Sequence, residues 1–315
     1  MSDKLRALCD HHGIFLEEHV SLSKRTTFRI GGYADFLAHV ETESVARLLF
    51  RFCREEHFPY FILGRGSNVL ASDEGYHGLI LHLDFLFQQT KFPDEADGDS
   101  CRMVIGAGTT LAKAAKTAME HGLTGMEGLS GIPGTVGGAL YMNAGAYGYE
   151  MSQIVESCDY MDENGEVHTL QADALELSYR HSWFAEHPGM ILKVTVKLER
   201  GDQDEIAAKM QDFLKRRNDK QPLDYPSAGS TFKRPEGNYA SALIDQCGLK
   251  GYTVGGAQVS EKHAGFVVNL GAATCADVLQ LCSDVRRIVQ EKTGYVLELE
   301  PILLGSQSGD GLKCN

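Results

Sequence analysis

The feature that most constrains the fold of this 315-residue chain is a run of glycines with apolar residues between them. Nine glycines lie within the 28 residues from His121 to Gly148, and six of them, from Gly122 to Gly137, recur at every third position. The run is too short and too poor in proline for a collagen-like helix. Apolar side chains alternate with the glycines, which is unlike a flexible linker. We therefore expect an ordered, closely packed backbone, because glycine lacks Cβ and adopts positive φ freely.

Two shorter glycine stretches, at 64–68 and 106–108, each follow a predicted strand. Neither completes the dinucleotide-binding fingerprint, because Val69 and Leu111 stand where its third glycine is needed. Two explanations stay open for the three glycine segments: tight turns packed on the core, or a backbone nest that binds a pyrophosphate. Serine, threonine and asparagine at the edges of all three segments favour the nest.

Charge and cysteine content disfavour several classes of function. The chain has 30 basic and 43 acidic residues, and its net charge of −13 argues against binding to nucleic acid. The eight cysteines form no CxxC pair, so we expect no zinc ribbon, no other metal site and no disulfide framework. No segment approaches the roughly 20 apolar residues of a membrane span, and the N-terminus lacks the apolar run of a signal peptide. We therefore expect a cytoplasmic protein without a membrane partner.

Alternating periodicities predict a mixed α+β protein. The helical period predicts helices at Glu43–His57, Ile206–Asn218 and Asp277–Thr293, and one more that begins at a cap formed by Thr109 or Thr110. Strands are predicted at 60–63, 79–83, 103–105, 192–198 and 296–304.

A change of composition near residue 200 predicts two domains. We expect a larger domain up to about residue 200. A smaller α+β domain is expected over 201–305, followed by a disordered tail over 306–315.

Four polar segments are candidates for binding and catalysis, each with a plainer explanation beside it. Residues 179–184 hold an arginine among aromatics, which suits a carboxylate clamp or an ordinary surface loop. Residues 227–235 place a hydroxyl beside two cations, which suits an acidic ligand and a proton donor, or a simple turn. Residues 248–269 carry donors that suit a diphosphate or a solvated loop. Glu298 and Glu300 share one face of the last strand, either solvated or at an active site.

Taken together, the segments resemble the UDP-N-acetylenolpyruvoylglucosamine reductase (MurB) family over roughly residues 20–305. The matching motifs, in the order of the family, are TTFRIGG (26–32), GRGSNVL (64–70), GIPGTVGGA (131–139), NAGAYG (143–148), YRHS (179–182), AGSTFKRP (228–235) and LEP (299–301). Each motif is modest alone, and the set is highly specific. The chain is most similar to the shorter subclass, because only 70 positions separate Ser230 from Glu300.

The resemblance implies an N-terminal extension over residues 1–20, followed by an FAD-binding domain of the vanillyl-alcohol-oxidase/PCMH type over 21–200. That domain is expected to have two lobes, at about 21–85 and 86–200, and a C-terminal α+β substrate-binding domain is expected over 201–305. It implies non-covalent FAD, with NADPH as the co-substrate. The residues expected to bind FAD are Gly64, Arg65, Gly66, Ser67, Asn68, Gly106, Gly108, Thr109, Gly128, Ser130, Gly131, Ile132, Gly134, Thr135, Gly137, Gly138, Ala144 and Gly145.

The resemblance also implies the reaction, in which hydride passes from NADPH to flavin N5 and then to the enolpyruvyl group of UDP-N-acetylglucosamine enolpyruvate, giving UDP-N-acetylmuramate for peptidoglycan synthesis. The expected catalytic residues are Arg180 and Glu300, which stabilise the developing enediolate, and Ser230, which protonates the carbon. The expected substrate-binding residues are Tyr179, Lys233, Arg234, Lys250, Gln258, Lys262, His263 and Asn269.

Two other functions stay open at this point, and we expect a monomer in each case. One is an FAD-dependent 2-hydroxy-acid oxidase or dehydrogenase of the same flavin fold, which leaves the AGSTFKRP segment without a role. The other is a UDP-sugar-binding protein without catalytic activity. Bound flavin, and the compound that reduces it, distinguish the three.

Overall fold

A computed structural model of the chain describes residues 2–93 and 100–305. The helices within these ranges are α1 Ser2–His12, α2 Glu43–Glu55, α3 Leu111–Glu120, α4 Val136–Tyr141, α5 Gln203–Lys220, α6 Ala240–Gln246 and α7 Cys275–Thr293. The strands are β1 Leu16–Ser21, β2 Tyr33–Val40, β3 Tyr60–Ile62, β4 Val69–Ala71, β5 Tyr76–Leu83, β6 Thr90–Lys91, β7 Ser100–Gly106, β8 Leu123–Thr124, β9 Gly145–Ala146, β10 Tyr149–Glu150, β11 Val155–Met161, β12 Val167–Gln171, β13 Met190–Arg200, β14 Thr253–Val254, β15 Ala257–Val259, β16 Val267–Asn269 and β17 Ile302–Leu304.

The chain forms two compact units built from interleaved segments. Unit 1 consists of residues 1–17, 36–64 and 78–217, and unit 2 consists of residues 18–35, 65–77 and 218–315. The fold is therefore α+β, as expected. The domain limits that the sequence suggests stay a prediction, and the expected disordered tail over 306–315 lies outside the described residues.

Threonine side chains begin the main helices, as the sequence predicts for α3. Thr110 rather than Thr109 is the cap there, because its hydroxyl accepts a hydrogen bond from the backbone N–H of Lys113 at 3.2 Å. Thr274 caps α7 in the same way, and Gly294 ends that helix with a φ of 79°. The predicted helices therefore begin and end within a few residues of their expected limits.

Unit 1 is organised around a sheet in the order β12-β11-β13-β7-β6, with β8 also paired to β13. Strand β13 pairs antiparallel with both β11 and β7, and Val194, Val196 and Leu198 on it are buried. The predicted strand at 192–198 is thus the centre of a longer one. Helices α3 and α4 contribute Ala114, Ala118 and Leu140 to the same core. A second sheet has the strand order β1-β2-β5-β3.

Unit 2 has its own core, which α6 and α7 form with the sheet β14-β15-β16 and the parallel pair β17-β4. The predicted strand at 296–304 is wrong in extent, because only Ile302–Leu304 form a strand. The preceding residues include Pro301, which has no N–H to donate to a ladder. An isolated bridge between Phe232 and Leu299 replaces the expected longer pairing.

Candidate functional site

In unit 1 the glycine segment at 106–108 packs against the glycine-rich segment at 121–148. Thr110 and Thr135 form an antiparallel bridge, and the N–H of Val136 donates to the carbonyl of Thr109 at 2.8 Å. The N–H of Gly137 donates to the carbonyl of Ala107, also at 2.8 Å. Helices α3 and α4 therefore start side by side, each capped by a threonine.

Most of these glycines serve close packing of the protein on itself. A Cβ on Gly108 would lie 2.6 Å from the carbonyl oxygen of Leu83, and a Cβ on Gly106 would overlap the carbonyl of Phe87. A Cβ on Gly137 would lie 2.9 Å from that of Ala107. For these positions tight packing is the physical reason for glycine.

Two glycines and one hydroxyl in the same region leave room for a ligand. A Cβ on Gly138 would meet only the Thr135 hydroxyl at 3.4 Å, and one on Gly131 only Cδ of Arg217 at 3.3 Å. Thr109 is 1% exposed, and its hydroxyl has no hydrogen-bond partner among the described residues. A buried hydroxyl without a partner is costly, so an absent ligand atom is its natural partner.

The other expected FAD residues of unit 1 flank these loops. A Cβ on Gly64 would lie 2.6 Å from the Thr135 hydroxyl, and one on Gly128 would lie 2.6 Å from the carbonyl oxygen of Ala146. Gly145 opens the short β9-β10 hairpin directly after Ala144. The remaining positions, Ser130, Ile132 and Gly134, lie in the loop before α4. Their backbone N–H groups donate to the carbonyls of Glu127, Leu129 and Ile132, respectively.

The glycine segment at 64–68 is divided between the units after Gly64. In unit 2, Gly66 has a φ of 60°, and a Cβ on it would overlap the carbonyl oxygen of Arg25. Thr26 beside it is 6% exposed, and its hydroxyl also has no partner within the part of the chain that the structure describes. Arg65 is exposed and Ser67 is half-buried.

Arg180 of unit 1 stands in a tight turn with an unusual backbone conformation. Ser178 and His181 exchange backbone hydrogen bonds of 3.2 Å in both directions, and Arg180 between them has a φ of 56°. Its guanidinium carbon lies 5.1 Å from the ring centre of Tyr179, which is exposed. Positive φ in a residue other than glycine is sparsely populated and is concentrated at functional sites.

Backbone pairing within unit 2 places the segments that hold Ser230 and Glu300 side by side. The N–H of Glu300 donates to the carbonyl of Thr231 at 3.0 Å, and the N–H of Lys233 donates to the carbonyl of Glu298 at 2.8 Å. The register therefore places Ser230 one position beyond the residue opposite Glu300. Asn68 also joins this region, because its Nδ2 donates to the carbonyl of Glu300 at 3.3 Å.

The basic residues of unit 2 have local partners. Nζ of Lys233 lies 3.6 Å from Oε2 of Glu298, and Nζ of Lys250 lies 2.9 Å from Oδ2 of Asp245. Nζ of Lys262 donates to the carbonyl of Asn218 at 2.6 Å. The guanidinium carbon of Arg234 lies 4.5 Å from the ring centre of Tyr239. Which of these cations holds a substrate anion stays a prediction.

Three other expected substrate residues also make contacts within unit 2. Nε2 of Gln258 donates to the Thr253 hydroxyl at 3.0 Å. Asn269 is buried, and both ends of its amide are used by backbone groups of residues 28, 29, 271 and 273. Burial lowers the pKa of His263, and its Nδ1 accepts the N–H of Gly265 at 3.1 Å. These contacts order the region, and the roles of the three residues in binding substrate stay predictions.

The structure adds Arg217, which sequence reasoning did not single out. It is half-buried near the end of α5, beside Gly131, and burial lowers its pKa despite the nearby Tyr147. It adds a positive charge to the glycine-rich loop. No local signal in the sequence singles out Arg217, because it lies in a run of lysines and arginines typical of a solvated helix face.

The described part of the chain offers neither a metal-binding cluster nor a membrane-spanning helix. No group of three or more histidine, cysteine, aspartate or glutamate residues among those described has the geometry to hold a metal ion. Within the described residues, no helix has the length and apolar character needed to cross a membrane.

Comparison with known proteins supplies the family. Residues 34–171 match the model of an FAD binding domain, and residues 221–304 match the model of the UDP-N-acetylenolpyruvoylglucosamine reductase C-terminal domain. A reductase of that name from Caldanaerobacter subterraneus is 43% identical over 97% of this chain and 98% of its own length. The reductase from Clostridium novyi is 40% identical over 98% of this chain and 97% of its own.

A solved structure agrees with the sequence comparisons. The crystal structure of UDP-N-acetylenolpyruvylglucosamine reductase (MurB) from Thermus caldophilus matches 92% of this chain and 99% of its own, with a TM-score of 0.77 and 37% identity. The expected FAD-binding domain and C-terminal domain are thereby confirmed. The chain belongs to the UDP-N-acetylenolpyruvoylglucosamine reductase (MurB) family of FAD-binding oxidoreductases, which act in peptidoglycan synthesis.

Proposed function

We propose that the chain uses NADPH to reduce UDP-N-acetylglucosamine enolpyruvate to UDP-N-acetylmuramate. The observation that carries the proposal is the pairing of residues 231–233 with 298–300, which places the segments that hold Ser230 and Glu300 next to each other in a chain of a reductase family. Location in the cytoplasm and a monomeric state stay predictions.

The residues of unit 1 fit a dinucleotide cofactor such as FAD. Gly131 and Gly138 leave the backbone accessible, and the buried hydroxyl of Thr109 needs a partner that the described protein does not supply. Backbone N–H groups and a hydroxyl are suitable donors for a pyrophosphate. When bound, FAD would supply the capacity to accept hydride from NADPH and to deliver it to the substrate.

Arg180 would neutralise negative charge on the substrate. Addition of hydride to the vinyl β-carbon builds charge on the adjacent carbon and its carboxylate, and a guanidinium binds a carboxylate with two parallel hydrogen bonds. A donor that is fixed in position before the reaction lowers the barrier most, because it needs no reorganisation. The tight turn at Ser178–His181 supplies such a fixed support for Arg180.

Ser230 would give its proton to the carbon that becomes the new stereocentre, and Glu300 would assist as a second donor to the enediolate. A serine hydroxyl is a weak acid, so it needs the charge that it quenches and nearby cations to transfer its proton. Lys233 is three residues away on the same segment. In a chain of net charge −13, such local cations are needed to attract an anionic substrate.

The test of these roles is the Ser230→Ala variant. We expect NADPH to reduce its flavin as fast as in the unmodified enzyme, whereas turnover of the enolpyruvate falls by roughly a hundredfold or more, the range for loss of a general acid. The product of the unmodified enzyme should carry two more hydrogens than the substrate by mass spectrometry.

Two results would contradict the proposal. Normal turnover by Ser230→Ala would show that Ser230 is not the proton donor. Flavin reduction by a 2-hydroxy acid but not by NADPH would instead favour an oxidase or dehydrogenase of the same fold, and binding of a UDP-sugar without flavin would favour a protein that only binds.

A further inference from the structure

A single buried asparagine links a glycine-containing loop of unit 1 to the turn that carries Arg180. Asn143 follows α4 and is 2% exposed, with a φ of 40°. Asparagine tolerates this left-handed conformation better than most residues. The NAGAYG motif thus begins with a side chain that points into the protein.

Both ends of the Asn143 amide are used, and each by a different segment. Nδ2 donates to the carbonyl of Ser178 at 3.0 Å, and Oδ1 accepts the N–H of Ser152 at 2.9 Å. The reverse orientation of the amide would place oxygen against oxygen and N–H against N–H, so the contacts themselves fix the orientation.

Ser178, whose carbonyl accepts this hydrogen bond, is the first residue of the turn that holds Arg180. The other side of the turn is attached by Ser182, which is fully buried and donates its hydroxyl to the carbonyl of Tyr141 at 2.7 Å. Both attachments end at the C-terminal end of α4, one at Tyr141 and the other at Asn143 just after the helix. Arg180 itself is half-buried and needs the turn to hold its positive φ.

We propose that Asn143 is a positioning residue that acts through Arg180, holding its turn in register with the loop at 143–148. The inference rests on the proposed function, because it concerns the reaction for which Arg180 is held. Without the hydrogen bond the turn can shift, and a displacement of about 1 Å at a catalytic group can cost on the order of a hundredfold in rate.

The test is the Asn143→Asp variant. Aspartate keeps the shape, the tolerance for positive φ and an acceptor for Ser152, but its ionised carboxylate has no donor for the carbonyl of Ser178. We expect kcat to fall roughly tenfold to a hundredfold. The rate of flavin reduction by NADPH and the dissociation constant of FAD should change by no more than about twofold. The activity ratio to the unmodified enzyme should rise at low pH, where a protonated carboxyl regains a donor.

A double-mutant cycle separates positioning from general destabilisation. If Asn143 acts through Arg180, Asn143→Asp should lower kcat no further in an Arg180→Ala background. Val196→Ala is the control, because it removes buried volume from the core of the same unit without contacting the turn. We expect it to lower the melting temperature while kcat stays the same.

Several outcomes would overturn the inference. Unchanged kcat in Asn143→Asp would do so alone, as would an equal fall of kcat in both Arg180 backgrounds, or a fall in kcat matched by Val196→Ala at equal loss of stability. Absence of turnover in the unmodified enzyme would overturn the proposed function as well, so the two failures are distinguishable.

Discussion

At the residue scale, the backbone conformation of Arg180 is the strongest indication of function. Its φ of 56° costs about 1–3 kcal/mol in a residue other than glycine, and the turn is held by buried contacts of Asn143 and Ser182. A long charged side chain is a poor choice there for stability alone. We infer that the guanidinium is kept for what it binds.

This makes Arg180→Asn informative. Asparagine adopts positive φ more readily, so we expect a melting temperature equal to or slightly above that of the unmodified protein. Loss of the guanidinium should lower turnover by roughly a hundredfold or more. Thermal unfolding of the apoprotein and turnover of the enolpyruvate provide the two measurements. A large fall in melting temperature would show that Arg180 has a structural role instead.

His263 predicts how stability depends on pH. Burial lowers its pKa, and nearby Lys250 lowers it further, while its Nδ1 accepts an N–H in the neutral form. The unfolded chain takes up a proton at this residue below about pH 6.5 and the folded chain does not, so the free energy of unfolding falls as the pH drops below that value.

The check on His263 is denaturant unfolding at a series of pH values. We expect a shallower fall of stability at acidic pH in His263→Gln than in the unmodified chain. His77→Gln is the control for the substitution itself, since the His77 side chain is 83% exposed. Equal slopes in all three proteins would rule out His263 as a source of acid sensitivity.

At the element scale, the paired loops before α3 and α4 determine how the cofactor region is built. Ala107 leaves no room for a larger side chain at position 137, whereas a Cβ on Gly138 would meet only the Thr135 hydroxyl. We propose that the two adjacent glycines serve different purposes, Gly137 close packing and Gly138 ligand access.

Substitution of these two glycines separates the purposes. Gly138→Ala should raise the stability of the apoprotein by up to about 1 kcal/mol, because alanine favours helix, and should weaken FAD binding by filling the space. Gly137→Ala should lower both, because its Cβ would lie 2.9 Å from that of Ala107. Melting temperature of the apoprotein and FAD titration by absorbance test both statements. Unchanged FAD affinity in Gly138→Ala would place the cofactor elsewhere.

The sequence predicted the elements well wherever one local signal dominates. The alternation at Leu192–Leu198 and the Gly294 stop of α7 are local, and both predictions are confirmed. The strand at 296–304 was overextended, because the pairing of Leu299 with Phe232 depends on contacts between distant segments. Arg217 was missed for the same reason: its burial depends on packing beside Gly131, which no local pattern reports.

At the scale of the whole molecule, each unit has its own apolar core, and the described cysteines lie mostly inside them. Burial raises the pKa of Cys53, Cys275 and Cys282 to about 12 and that of Cys9 to about 11. Burial also raises the pKa of Cys158. Thiolates react and thiols do not, so buried thiols with raised pKa values are inert.

Thiol titration of the folded protein checks this packing. Of eight cysteines, Cys101 is half-buried and Cys314 lies outside the described residues, while the other six are buried. At pH 8 we expect at most these two thiols to react rapidly with a disulfide reagent, and the others only after unfolding. Rapid reaction of further thiols in the native protein would contradict the two closed cores.

Family motifs distributed over the whole chain supply most of the expected site residues, and local patterns supply few. The glycine surplus has two physical reasons, since Gly106 and Gly137 are needed for packing while Gly131 and Gly138 leave space for a ligand. Composition alone could not separate these, because the distinction lies in which atoms surround each missing Cβ. The link from Asn143 to the Arg180 turn is likewise a three-dimensional fact, since 35 positions separate Asn143 from Ser178.

The central claim is most directly tested by an anaerobic titration of the purified, yellow protein. We predict that NADPH bleaches the flavin absorbance and that UDP-N-acetylglucosamine enolpyruvate then restores it, with one equivalent of substrate consumed per flavin. Failure of the enolpyruvate to restore the absorbance after complete bleaching by NADPH would contradict the proposed reaction.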